Sequence, residues 1–396
     1  MSLAMYAISR ELKLNNVEVS LMRGLAGFRR WVYNFGLDLL VASWDFEGVK
    51  ASDTKRIDAI KKVFTQVTMQ KPEYAWMKNY PSTVYQSAFI DLKDALSRWR
   101  KGQCGFPKKK SKKKGDSFTV YKTAGVYPAK GKPALPFTNR VVIEAGKRIK
   151  LPGLKVFRLK ERINFLSSSQ TFTVKRAADR WFVSFVLDAE KIPPTIHPIQ
   201  RVGVDLGVKC LATVSDGTRY EMPITTKKAK IKLGKLQWRN RNKVLGNTKL
   251  LIKASGKARR YYVKLAQQHW HLANIRNDTI QKMTTDLSRR AYNIRIEDLN
   301  ISGMIANHKL ASAVSNNCFY EIRRQLVYKQ VHYGTKVELV DRWYPSSKTC
   351  SKCGHIQPMK LSERVFHCQK CGHSQDRDVN ASINLENAPS DRVRLA

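Results

Sequence analysis

Three carboxylates and four thiols carry the chemistry this sequence could do. Asp205 lies in residues 201–217, which read as two strands of an antiparallel hairpin. Val202, Val204 and Leu206 alternate, Leu211 and Val214 follow, and Asp216-Gly217 marks the next turn. An acid is a poor strand residue, and a charge in an apolar strand is costly unless it is paired or holds a metal. Flanking Gly203 and Gly207 clear room for backbone or a ligand. Taken alone, Asp205 could equally end the strand or pair with an arginine. Two further stretches place acids in comparable settings. Glu297 closes the short apolar strand 293–299. Asp376 and Asp378 open a helix, where the macrodipole favours negative charge.

The thiols are Cys350-x-x-Cys353 and Cys368-x-x-Cys371, separated by fourteen residues, with Gly354 and Gly372 after each pair. That spacing predicts a four-cysteine ribbon around a structural Zn2+. Disulfides are the alternative, but no signal peptide is visible and the other three cysteines are scattered. Four thiolates close such a site, which leaves His355, His367 and His373 as surface or nucleic-acid contacts.

Strand Asp, strand-end Glu and helix-start Asp resemble the RNase H-like fold, in which a first strand, a fourth strand and a last helix gather three acids. Clustered carboxylates repel unless divalent cations neutralise them. The resemblance therefore implies a two-ion Mg2+ site for phosphodiester hydrolysis.

Several motifs together resemble the TnpB family. They are Gly-Val-Asp-Leu-Gly around Asp205, Ile-Glu-Asp-Leu around Glu297, Asp-Arg-Asp-x-Asn-Ala around Asp378, Tyr-Pro-Ser-Ser before Cys350, and Gly-Phe-Pro-Lys before the lysine run. The family comprises transposon-encoded, RNA-guided DNA endonucleases related to type V CRISPR effectors. The resemblance implies an α/β architecture: a RuvC-like nuclease domain (200–345 and 376–396) with an inserted zinc ribbon (346–375). It also implies a helical recognition lobe (15–103), a basic linker (104–114) and a β-barrel-like wedge domain (1–14 and 115–195). The catalytic acids carry over to Asp205, Glu297 and Asp378. Asp378 is preferred to Asp376 because the family's Asp-x-Asn spacing is met by Asp378-Val379-Asn380. Implied partners are a guide RNA from the transposon end and double-stranded target DNA with a short protein-read motif. Three readings compete: the transposon nuclease, a miniature type V CRISPR effector with the same chemistry, and a non-cleaving regulator of transposition. The intact triad speaks against the last.

Composition agrees. The 396 residues hold 73 Lys and Arg against 31 acids, a formal net charge of +42. An excess that large calls for a polyanion, and nucleic acid fits best. No long apolar span points to a membrane, and the expected location is the prokaryotic cytoplasm, on the nucleoid when DNA is bound.

The elements that must position these groups follow from periodicity. Residues 6–10 predict a first strand. Leu21, Leu25, Phe28, Val32, Phe35 and Leu39 mark an amphipathic helix. Asp53 is expected to cap a second helix over 54–68, and Pro81-Ser82 to open a third striped by Tyr85, Phe89, Leu92, Leu96 and Trp99. Gln86, off that stripe, is a candidate adenine reader, though a plain solvent-facing glutamine is the simpler reading. Lys108, Lys109, Lys110, Lys112, Lys113 and Lys114 read as a flexible phosphate-gripping linker or, by composition, a nuclear-import signal. Residues 117–190 predict strands enough for a small barrel, and 192–198 a proline-stiffened linker. Residues 225–285 predict a basic helix pair, with Arg239, Arg241, Lys257, Arg259 and Arg260 as nucleic-acid contacts and Trp238, Tyr261 and Trp270 interleaved. A solvated helical hairpin is the alternative there. A helix over 316–333, a strand over 335–340 and frayed residues from Pro389 complete the expectation.

Overall fold

The computed structural model describes residues 5–44, 52–112, 115–120, 141–143, 146–151, 153–163, 167–169, 172–188, 196–207, 210–246, 252–306, 318–360 and 363–396. Lys113, Lys114 and linker residues 192–194 lie outside them. The chain divides into two compact units, Met1–Ala189 and Glu190–Ala396.

The first unit runs β1 (Met5–Lys13), α1 (Asn16–Trp44), α2 (Asp53–Gln66), α3 (Ser82–Arg100), β2 (Ser117–Val120), β3 (Val141–Ile143), β4 (Gly146–Lys150), β5 (Val156–Ile163), β6 (Ser167–Ser169), β7 (Phe172–Ala177) and β8 (Arg180–Asp188). Six of these strands form an antiparallel sheet in the order β2-β7-β8-β1-β5-β4. β1, which precedes the helices, pairs along Met5–Leu12 with β8, which follows them. Side chains alternate across the sheet, so Phe172 and Val174 on β7 and Trp181, Val183 and Phe185 on β8 are all buried. Leu25, Phe28 and Val32 of α1 and Phe89, Leu92 and Leu96 of α3 recur at helical spacing and join the same core. Helices and sheet thus share one core, where the sequence suggested a lobe and a barrel. Among the described residues the sheet has edges, β2 and β4.

Two local expectations change. Ser52 caps α2 by accepting the Lys55 N–H at 3.4 Å, and Asp53 becomes the first helical residue. The start of the lysine run is docked on α1. Asn34 exchanges two hydrogen bonds with the Lys110 backbone, at 2.8 and 3.0 Å. The Lys110 ammonium sits 3.3 Å from Asp91 and 3.9 Å from the Tyr33 ring centroid. Burial, then the charge of Arg29, pushes its pKa down.

The second unit runs β9 (Ile199–Asp205), β10 (Ala212–Val214), β11 (Arg219–Tyr220), α4 (Ile224–Arg239), α5 (Gly256–Arg290), β12 (Ala291–Glu297), α6 (Ile301–Ala306), α7 (Phe319–Tyr333), β13 (Lys336–Val340), β14 (Val365–His367), β15 (Ser374–Asp376), α8 (Arg377–Glu386) and β16 (Val393–Leu395). Its mixed sheet has the order β11-β10-β9-β12-β13-β16, with β9, β12 and β13 mutually parallel. The predicted hairpin is β9–β10, antiparallel with Thr213 opposite Asp205. Residues after Pro389 are not frayed. β16 pairs antiparallel with β13, and the Asp341 N–H donates to Arg392 C=O at 2.8 Å.

Period two assigns the faces. Val202, Val204, Ile294 and Ile296 are buried with Ile280, Met283 and Leu287 of α5 and Phe319, Ile322 and Leu326 of α7. Gly203 and Asp205, and Arg295 and Glu297 in parallel register beside them, take the other face. On that face lies α8. The Arg295 guanidinium donates to Glu386 and Ala388 C=O at 2.8 and 2.7 Å and pairs with Glu338 at 2.9 Å. A Cβ on Gly203 would fall 2.0 Å from Ser382 O and 2.4 Å from Glu386 N, so only glycine lets α8 approach β9 this closely. The sequence left open whether backbone or ligand uses that room; backbone uses it.

Candidate active site and metal centre

Asp205 ends the first strand of this sheet, Glu297 ends the fourth in chain order, and Asp378 lies in the first turn of α8. All three line one open cleft of about 620 Å3, together with Arg342, Trp343, Lys348, Arg364 and Arg377. Each acid is half-buried. Burial, then the charges of Asp378 and Glu297, pushes the Asp205 pKa up to about 7, and the Arg377 charge offsets part of this. Burial, then the charge of Asp298, raises Glu297 to about 7 as well. The site therefore concentrates more negative charge than it can hold without protons or cations. Its donors are carboxylate oxygens, without thiol or imidazole, the set that suits Mg2+.

The two candidate aspartates of α8 have different tasks. Asp376 is the N-cap: its Oδ1 accepts the N–H of Asp378 at 3.0 Å and of Val379 at 3.2 Å, and its Oδ2 pairs with Arg219 at 2.9 Å. Asp376 does not line the cleft; Asp378 does, with its Oδ1 3.2 Å from Arg377.

The four cysteines come together. Their sulfurs lie within 4.8 Å of one another, the one metal-type cluster that tight among the described residues. Cys350 and Cys371 are 3.7 Å apart, and Cys353 and Cys368 3.6 Å. Four ligands about 2.3 Å from a central zinc would be separated by about 3.8 Å, whereas a disulfide needs about 2.05 Å. The cluster therefore fits zinc. Two matching turns build it: the N–H groups of Cys350 and Cys368 donate to His355 and His373 C=O at 2.8 Å, and Gly354 and Gly372 take φ of +73° and +67°.

The ribbon is fastened to α8. Asn380, wholly buried, accepts the Ser351 N–H at 2.9 Å and donates to Thr349 C=O at 2.7 Å. Asn384 donates to Ser346 and Thr349 C=O, both at 2.7 Å. The element that carries Asp378 thus also holds the loop leading into the first cysteine pair.

The expected nucleic-acid contacts scatter more widely. Arg239, Arg241, Lys257, Arg259 and Arg260 are exposed on and after α4 and at the start of α5. Between these helices runs a groove of about 690 Å3 lined by Lys228, Lys232, Lys235, Arg239 and Lys264. Arg241 stacks on the exposed Trp238 ring, 4.7 Å from its centroid. Lys108 and Lys112 are exposed, Lys109 pairs with Asp38 at 2.7 Å, and Gln86 is half-buried on α3.

The sequence did not reveal the surroundings of Asp298. This buried acid accepts from Arg323 of α7 at 2.9 Å, from Arg342 at 3.5 Å and, in a short contact, from Arg394 of β16. Burial works to raise its pKa, but the Arg394 hydrogen bond and the three guanidinium charges hold it below the ordinary value. Three elements converge there, and no local pattern announces that.

Residues 184–308 match the family OrfB_IS605, described as "Probable transposase", and residues 319–385 match "Cas12f1-like, TNB domain". The chain is 29% identical over 364 residues to a "Putative RNA-guided DNA endonuclease" of Streptomyces pristinaespiralis, covering 91% of this chain and 83% of that one. It is 31% identical over 330 residues to "Putative RNA-guided DNA endonuclease InsQ" of Escherichia coli K12, covering 79% and 76%. In fold it is similar to the protein of a Cas12f1–sgRNA–target DNA complex, with TM-score 0.58 at 16% identity over 94% of this chain and 83% of that one. Among the described residues no helix is long and apolar enough to cross a membrane.

Proposed function

The chain belongs to the TnpB family, and from that footing we propose that it is an RNA-guided DNA endonuclease with its cutting centre at Asp205, Glu297 and Asp378. The observation that carries the reading is the cleft itself. Three acids from separate elements face one opening, two of them pushed to a pKa of about 7 by burial and neighbouring charge. Around them stand Arg342, Lys348, Arg364 and Arg377, cations suited to a phosphodiester.

In this reading the nuclease domain is RNase H-like, the first unit supplies the recognition lobe and wedge, and residues 346–375 are the zinc ribbon. Asp205, Glu297 and Asp378 would hold Mg2+, which when bound supplies charge neutralisation and an activated water. The residues do the rest by placement. Asp205 and Glu297 are fixed by the parallel pairing of β9 and β12. Asp378 is fixed by the Asp376 cap and by α8 lying against Gly203. Arg377, now on Asp378, is within reach of an anion entering the cleft. Base pairing with the guide would choose the target, while lysines and arginines hold phosphates without reading sequence.

The test is to purify the protein, sequence the RNA that accompanies it, and compare cleavage of matched and mismatched plasmids by RNA-free and RNA-loaded protein with Mg2+. Cutting only with RNA, and only of the matched plasmid, supports the reading. Equal cutting in every arm would leave an unguided nuclease.

A further inference from the structure

The turn after β13 places two unlike groups side by side at the cleft. Arg342 and Trp343 both line it. Trp343 is 82% exposed, an expensive position for the largest apolar side chain. Its backbone is held: the Trp343 N–H donates to Asp341 Oδ1 at 2.7 Å, the Tyr344 N–H donates to Asp341 C=O at 3.0 Å, and Asp341 is itself bonded to Arg392. The ring is therefore presented by a rigid turn.

Arg342 is one of the three arginines on Asp298. One carboxylate cannot neutralise three guanidiniums, so the cluster keeps two positive charges. Side-chain exposures of 36% for Arg323, 42% for Arg342 and 67% for Arg394 leave it open to solvent. Each guanidinium has five N–H donors, of which one reaches Asp298. Tying α7 to β16 needs one arginine from each; Arg342 adds repulsion to such a strap. A second anion repays that cost.

We propose that this turn is a nucleotide subsite for the strand being cut. Trp343 stacks on an unpaired base beside the acids, and the Asp298-held arginines take the phosphates of the nucleotides next to it. An aromatic platform beside a cationic track is the chemistry that holds single-stranded nucleic acid. Duplex DNA keeps its base faces stacked and has no use for the ring. The inference rests on the nuclease reading, since that reading supplies the strand.

The probe is a short DNA single strand containing 2-aminopurine, whose fluorescence falls on stacking, titrated into the purified full chain without added divalent ion. Wild type should quench it. Trp343→Leu should bind the strand yet lose most of the quench, and Arg394→Gln should lower the salt slope of binding by about 0.7, one single-strand phosphate contact. With the base at the probe position removed, Trp343→Leu and wild type should bind alike, while the Arg394→Gln deficit persists. Unchanged melting and zinc content would show that neither exposed substitution disturbs the fold. Quenching by Trp343→Leu equal to wild type would overturn the platform, and an unchanged salt slope for Arg394→Gln would overturn the phosphate grip. These measurements need neither RNA nor cutting, so a failed guided-cleavage assay remains a separate result.

Discussion

Adding one methyl group at Gly203 tests how the proposed cutting centre is assembled. In Gly203→Ala the new Cβ meets Ser382 O at 2.0 Å, Glu386 N at 2.4 Å and Glu386 Cα at 3.1 Å, all backbone atoms of α8. Ordinary contact begins at 3.4 Å, so the helix must retreat by 1.4 Å at Ser382. No side chain can turn aside to absorb this. The Asn380 and Asn384 hydrogen bonds to the ribbon loop oppose the movement. Asp378 lies one turn earlier on the same helix and must move with it, while Asp205 stays on the strand. Misplacing a reacting group by about 1 Å can cost roughly 100-fold in rate, and overpacking costs about 1–3 kcal/mol of stability. Single-turnover cleavage by RNA-loaded Gly203→Ala should therefore fall by roughly 100-fold or more, with target binding retained and melting lowered by several degrees. Gly234→Ala is the control. It lies in α4 with nothing within 4 Å of the added methyl, and should cut like wild type. If Gly203→Ala cuts at a rate within a few-fold of wild type, the packing of α8 on β9 does not set the position of the third acid.

Other outcomes follow from the same geometry. Asp378→Ala should abolish cleavage and keep target binding, whereas Asp376→Ala loses a cap worth about 1 kcal/mol and should only slow it; the reverse order would exchange their roles. Metal analysis should find one zinc per chain, lost in Cys353→Ser. Asn384→Ala should keep the zinc and still cut poorly, because the buried Ser346 carbonyl loses its donor and the Thr349 carbonyl keeps only Asn380. Lys329 is 2% exposed, donates to Gln281 C=O and to Thr284 and Thr285 hydroxyls, and pairs with no carboxylate among the described residues. Burial, then the Arg289 charge, lowers its pKa from 10.5 to about 8, so between those values the unfolded chain binds more protons and stability rises with pH. Relative to Lys329→Met, wild type should gain on the order of 3 kcal/mol across that window, read as a pH-dependent melting difference. Lys108→Gln with Lys112→Gln should weaken RNA binding without lowering the melting temperature. Adding Lys110→Gln should lower it, because that ammonium serves Asp91 and Tyr33.

What the sequence revealed depended on how local each signal was. The alternation of Val202 and Val204 assigns Asp205 its face without any partner strand, and Cys-x-x-Cys spacing declares the ribbon by itself. The stripe of α1 was readable but rotated by one residue, since Met22, Leu25 and Ala26 are buried while Leu21 is only partly so. Features that need a distant partner stayed hidden. β16 is three residues long and exists because β13 offers an edge. The docking of Lys110 requires Asn34 and Asp91 from two helices. The cluster on Asp298 draws arginines from three places, and no window of sequence contains them together.

The order of the acids along the chain has a consequence for synthesis. Asp205 emerges 173 residues before Asp378, and the helix that seats the last acid needs eight more residues to finish. At about 5–20 residues per second, translation takes roughly 10–40 s to cross that interval. Throughout it the first unit and its charged surface are already available to nucleic acid, while the carboxylates number at most two and the ribbon loop has no asparagines to hold it. On the proposed function, a nascent chain would therefore collect RNA before it could damage DNA, and a product that stops short of Arg377 would be a binder without a blade.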